Sequence, residues 1–92
     1  MRGVPLDLPG SELVSAGIRD LAAGEASVEA LLVSIGAPRL RQIGLDVPEP
    51  VPDAELRLYE LLAQEDSDGA HSKYNALVRR LVSFERAATC VA

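Results

Sequence analysis

Near the C-terminal end of the chain, four polar side chains have the types and the spacing that a small binding or catalytic site would need. They are His71, Tyr74, Asn75 and Arg79. Residues three and four positions apart lie on one side of an α-helix, so these groups can hydrogen-bond to one another or to a ligand. One interpretation is a small polar binding site with His71 as a base. The interpretation we favour is an ordinary helix start followed by interhelical hydrogen bonds.

The rest of the chain gives little support for catalysis or for a bound cofactor. His71 is the single histidine, and Cys90 is the single cysteine and lies near the chain end. A histidine-based metal site would need further clustered ligands, which the sequence does not supply. The acidic stretch around Asp66 and Asp68 lacks the ligand order of a calcium-binding loop. We therefore predict no enzyme, no metal site and no cofactor.

The polar side chains lie on a long amphipathic helix predicted over about residues 67–91. Its apolar residues recur at steps of three and four and fall on one side of the helix, which we call the apolar seam. The seam consists of Tyr74, Leu77, Val78, Leu81, Phe84 and Ala88. So long a seam predicts a partner surface. Because a chain of 92 residues encloses only a thin core, we expect that a second copy covers part of it.

Glu85 is an anomaly at the edge of the apolar seam, four residues after Leu81. A carboxylate is costly to bury unless it is paired. Arg57 on the preceding helix, or an arginine from another subunit, would provide that pair. A side chain that bends out to solvent is the alternative.

Three helical segments are predicted before this helix. Ser11 is placed to cap the first, which runs to Ala23 before Gly24. Ser27 caps a second at 28–35, which is apolar nearly all round and is therefore expected in the middle of the core. A buried strand is the competing interpretation of so short an apolar run.

Gly36 is expected to end that second segment, and Pro38 to begin a short turn at 38–43. The two pieces together invite a helix-turn-helix interpretation of 28–43, with Arg39 and Arg41 touching DNA. The corresponding function is a small nucleic-acid-binding regulator that uses Arg39, Arg41, Arg79 and Arg80. The shortness of the second piece and the surrounding acidity argue against it.

Prolines at every second position mark 46–53 as a connector, because they deny the backbone regular hydrogen bonds. Asp53 is placed to cap a helix at about 54–64. The predicted apolar side of this helix consists of Leu58, Leu61 and Leu62, with Leu56 and Tyr59 at its flanks. The short link that follows predicts a C-terminal antiparallel αα-hairpin. We predict an all-α fold: one domain over 1–92, a small bundle of about four helices, with 1–10 as an N-terminal arm or a frayed end.

Charge is unevenly placed along the second half of the chain. Six acids at 53–72 are accompanied by one arginine, whereas four basic residues at 73–92 are accompanied by Glu85 alone. Neighbouring segments of opposite sign suit antiparallel packing, within one chain or between two. Two solvated faces that keep the protein soluble are the alternative.

The composition of the chain limits the kinds of partner that we expect it to bind. The net charge of −5 argues against a general affinity for nucleic acid, and no run of about 18 apolar residues suggests a membrane span. One cysteine and no apparent signal peptide predict a soluble cytoplasmic protein. We expect a non-enzymatic protein–protein interaction module, a homodimer or a binder of another helical protein.

Overall fold

The computed structural model describes residues 8–91 of the 92-residue chain. These residues form four helices, α1 (Ser11–Ala22), α2 (Val28–Gln42), α3 (Ala54–Glu65) and α4 (Ala70–Val91), and contain no strand. The prediction of a small all-α bundle is confirmed. Most of the predicted N-terminal arm lies outside the described residues, which include only its positions 8–10.

Helix α2 contacts the other three helices, as α4 does, and most of its length from Ala30 to Leu40 is buried. Four consecutive side chains near its start, Ala30, Leu31, Leu32 and Val33, are at most 2% exposed. A helix that buries neighbouring positions all round must be covered on every side. The prediction that 28–35 lies in the middle of the core is therefore confirmed, as a helix rather than as a strand.

The predicted break between two short pieces at 28–43 is wrong, because α2 continues through Gly36 and Pro38 to Gln42. A proline inside a helix removes one backbone hydrogen bond and usually costs about 3 kcal/mol. Packing outweighs that cost here, since Ala37 and Leu40 on either side of Pro38 are completely buried. No turn separates two helices within the segment, so the helix-turn-helix interpretation fails with the break.

The predicted N-terminal caps of the helices are confirmed only in part. Ser27 caps α2 as predicted, because its hydroxyl oxygen accepts the backbone N–H of Ala30 at 3.1 Å. Ser11 is not the cap of α1: Gly10 occupies that position with a φ of 78°. Asp53 precedes α3 as predicted, with a φ of 55°, but its carboxylate makes no capping bond within the described chain.

Gly10 takes the capping position because α1 begins against α4. A Cβ atom at Gly10 would lie 2.8 Å from the carbonyl oxygen of Arg80, too close for any other residue. The positive φ is a second requirement that glycine meets without strain. The close approach to α4 therefore requires glycine at the N-cap position, and Ser11 is the first residue of the helix.

Gly17 allows α1 to lie directly on α2. A Cβ atom at this position would overlap the side chain of Val33 and the backbone carbonyl of Glu29. Glycine in the interior of a helix costs about 1 kcal/mol relative to alanine. The close crossing of the two helices explains why that cost is tolerated.

The connector between α2 and α3 has no regular secondary structure, in agreement with its prolines. Ser34 of α2 binds its distal part: the Ser34 hydroxyl donates to the carbonyl of Ala30 at 2.8 Å and accepts the N–H of Val51 at 3.0 Å. A buried hydroxyl needs such partners, since leaving it unpaired costs free energy. Ser34 thereby fixes where the chain enters α3.

Arg41 binds the proximal part of the connector. Its guanidinium Nη2 donates to the carbonyl oxygens of Val47 at 2.9 Å and Pro48 at 3.1 Å. Leu45 and Val47 are buried beneath this contact, at 8% exposure each. The connector is therefore packed back onto α2 instead of spanning freely between two pairs of helices.

Candidate functional site

The four predicted polar side chains on α4 do not converge on one site. His71 and Asn75 are the pair that the structure brings together, with Asn75 Nδ2 at 3.2 Å from His71 Nε2 on the exposed surface. Tyr74 instead turns toward α3, and Arg79 is exposed. A lone pair of polar groups one turn apart is ordinary helix-surface hydrogen bonding.

Tyr74 packs against Tyr59 of α3, with ring centroids 5.9 Å apart and planes tilted by 56°. Such tilted aromatic contacts are favourable because a ring edge meets a ring face. Burial raises the pKa of the Tyr74 phenol, and the negative charge of Glu55 raises this pKa further. Tyr74 is therefore a neutral packing group at the place where α3 and α4 meet.

The apolar seam of α4 is largely covered within one chain. Phe84 is fully buried, Leu81 is 3% exposed and Ala88 is 7% exposed. Leu77 and Val78 are half-buried and pack against the same core. The expectation that a single copy leaves the seam uncovered is wrong, because α1 and α2 both pack on α4. Leu81 and Phe84 are consequently core residues.

Glu85 lies beside α2, and its predicted partner Arg57 is not the neighbour that the structure provides. Burial raises the pKa of Glu85, and the positive charge of Arg39 opposes that rise. Glu85 also approaches Gly36, where a Cβ atom would lie 2.9 Å from Glu85 Oε2. Arg57 lines a different depression, next to Ala26 and Leu31.

The arginines that were considered for nucleic-acid contact have separate local roles. Arg41 binds the connector, and Arg80 makes an ion pair with Glu12 of α1. The positive charge of Arg39 opposes the rise in the pKa of Glu85. Arg79 is exposed, and of the four arginines Arg80 alone makes an ion pair in the described chain. Three of these arginines thus have a local partner within the described chain.

A shallow groove crosses α2 where sequence reasoning placed no site. One part, of about 360 Å³, lies between α2 and the start of α3, and a second part, of about 290 Å³, lies between α2 and α4. Ile35 and Pro38 line both parts. Val78 and Val82 of α4 complete its apolar wall. We call this the α2 groove.

The exposed apolar surface of α3 lies outside the core as well. Leu56 is 62% exposed and Tyr59 is 39% exposed, the most exposed large hydrophobic side chains in the described chain. Sequence reasoning placed both at the flanks of the apolar side of α3. Their positions on that helix were the available signal, since the buried face of α3 consists of Ala54, Leu58 and Leu62.

No group of three or more histidine, cysteine or acidic side chains in residues 8–91 is arranged to hold a metal ion. None of the helices in this part of the chain is both long enough and apolar enough to cross a bilayer. Compared with known proteins, the chain matches no protein family, no curated protein and no solved structure.

Proposed function

We propose that this chain is a non-enzymatic protein–protein interaction module that self-associates in the cytoplasm. The observation that carries the proposal is the apolar surface that remains outside the core: the exposed Leu56 and Tyr59 of α3 and the open α2 groove. Exposed apolar surface flanked by polar residues is typical of interaction sites.

The polar groups of α4 support an interaction role better than a catalytic one. His71 is exposed and is hydrogen-bonded to the half-buried Asn75, and Tyr74 packs against Tyr59. A general base works close to a nucleophile or a bound substrate, usually in a cleft that tunes its pKa. The surroundings of His71 are those of a surface residue. A cytoplasmic location is consistent with Cys90, an exposed free thiol of the kind that a reducing compartment preserves.

Light scattering coupled to size-exclusion chromatography tests the proposal directly. We expect the measured mass to rise from the monomer toward the dimer as the protein concentration increases through the micromolar range. A variant with Leu56→Ser should shift this transition to higher concentration, whereas Glu25→Gln, at an exposed position between α1 and α2, should leave it unchanged. A monomer mass at every concentration would count against self-association.

A further inference from the structure

Helices α3 and α4 carry opposite charge on their exposed sides. Asp53 and α3 contribute four carboxylates and one arginine, whereas α4 contributes four cations and one carboxylate. The two helices are consecutive and pack on each other. Because their charges are opposite, α3 and α4 would be expected to form ion pairs with each other within the chain.

They do not. In residues 8–91 no ion pair joins α3 to α4: Lys73 pairs with Asp66 in the loop, and Arg80 pairs with Glu12 of α1. Arg79 and Arg86 are exposed and take part in no ion pair of the described chain. Glu55 is exposed as well and takes part in no ion pair of the described chain. Each helix thus keeps its own charge free on the surface.

On each helix the free charges border apolar side chains. Leu56, Tyr59 and Ala63 follow one side of α3 at helical spacing, with Glu55 and Glu60 beside them; we call this the acidic strip.

On α4, Val78 and Val82 line the α2 groove, and Arg79 and Arg86 border them at spacings of one and four residues; we call this the basic strip. Tyr59 of the acidic strip contacts Tyr74, which lies one turn before Val78. The two strips are therefore neighbours on one surface.

We propose that the partner is a second copy of this chain, related by a twofold axis that places the acidic strip of each protomer on the basic strip of the other. This arrangement presupposes the proposed interaction function and adds the surface and the orientation to it. A surface with one acidic and one basic half is self-complementary under a twofold rotation that exchanges the halves. A partner of uniform charge would match only one strip and would be repelled by the other.

Both strips contain apolar side chains that can form the centre of such a contact. Leu56 and Tyr59 would supply the apolar centre of the contact, opposite Val78 and Val82. Aromatic and aliphatic side chains at the centre and charges at the rim match the usual anatomy of an interface.

Charge reversal on one strip at a time tests the arrangement. The first variant carries Glu55→Lys and Glu60→Lys, and the second carries Arg79→Glu and Arg86→Glu; all four side chains are exposed, so the fold should tolerate the changes. We expect each variant alone to dimerise at least about tenfold more weakly than the wild type, because like charges then meet across the interface. An equimolar mixture should form mixed dimers, because both contacts are again between opposite charges.

The control carries Glu25→Lys and Asp46→Lys. It has the same charge change as the first variant, at exposed positions outside both strips. Native mass spectrometry of the mixture, with one variant isotopically labelled, counts mixed and unmixed dimers. Variants that dimerise like the wild type, or a mixture that stays monomeric, would overturn the twofold arrangement while leaving the interaction function intact. A wild-type chain that stays monomeric would overturn both.

Discussion

The hydroxyl of Ser34, in the middle of α2, accepts a hydrogen bond from the backbone N–H of Val51 at 3.0 Å. Seventeen positions separate the two residues, and this bond attaches the end of the connector to the centre of the bundle. The same hydroxyl donates to Ala30, so both of its hydrogen-bonding roles are used. A single small side chain thereby joins the two halves of the chain.

Ser34→Ala should lower the free energy of unfolding by about 1 kcal/mol, because the Val51 N–H loses its partner where it is half-buried. Urea unfolding followed by circular dichroism measures the loss. Ser83→Ala, at an exposed position of α4, is the control and should change the unfolding free energy by less than about 0.5 kcal/mol. Equal stabilities for the two variants would show that the Ser34 bond contributes nothing.

Gly17→Ala should destabilise the protein by about 1 to 3 kcal/mol, although alanine is the better helix former. The added Cβ would overlap the Glu29 carbonyl and the buried Val33 side chain, neither of which can move freely. Thermal unfolding provides the comparison.

The contrast variant for this test is Gly36→Ala. The nearest atoms to its Cβ would be the ends of the Leu81 and Glu85 side chains and not backbone, so we expect a smaller loss of stability than for Gly17→Ala. A stabilising Gly17→Ala would show that α1 and α2 do not cross as closely as described.

Glu85→Gln should flatten the dependence of stability on pH. Burial raises the pKa of Glu85 in the folded chain above its ordinary value of 4.5, so the folded state binds the proton more tightly than the unfolded state does. The resulting stabilisation is complete below the ordinary pKa and is lost as the pH rises through the folded pKa. Denaturation between pH 4 and 7 should therefore show the wild type losing stability relative to the glutamine variant.

A matched comparison for this experiment is Glu49→Gln, which changes an exposed carboxylate on the connector. Its pH profile should follow that of the wild type. If Glu85→Gln loses stability relative to the wild type as the pH rises, the pairing with Arg39 outweighs the burial of Glu85, and the direction of the inferred pKa shift is wrong.

Leu81→Ala should cost about 2 to 5 kcal/mol of unfolding free energy, because the side chain is in the core and its removal leaves a cavity. Calorimetry at two protein concentrations distinguishes a core role from an interface role. We expect the same loss at both concentrations. Leu56→Ala, at a largely exposed position, should cost far less in the dilute sample. If the loss for Leu81→Ala disappeared on dilution, the apolar seam would be part of a dimer interface and not of the core.

Local signals in the sequence predicted much of the fold. Ser27 before an apolar run predicted the start of α2, and the spacing of Leu81 and Phe84 predicted the buried side of α4. These features depend on residues a few positions apart. Hydrophobic periodicity and capping chemistry are local properties, which explains why they could be interpreted without a structure.

The mistaken predictions concerned interactions between distant residues. Pro38 would end most helices, yet the burial of Ala37 and Leu40 carries α2 through it. The neighbour of Glu85 is Arg39 on α2 rather than Arg57 on α3, a choice made by how the helices pack. The excess of apolar surface on α4 was overestimated for the same reason, since α1 and α2 cover it.

The attachment of the connector at both ends bears on how the molecule unfolds. Arg41 holds residues near its beginning and Ser34 holds Val51 near its end, and both side chains belong to the central helix. Release of α3 from the bundle must therefore break contacts made by α2, and loss of α2 removes the support for α3. The four helices should accordingly melt in a single transition, with the slowest amide exchange at α2 and at Val51.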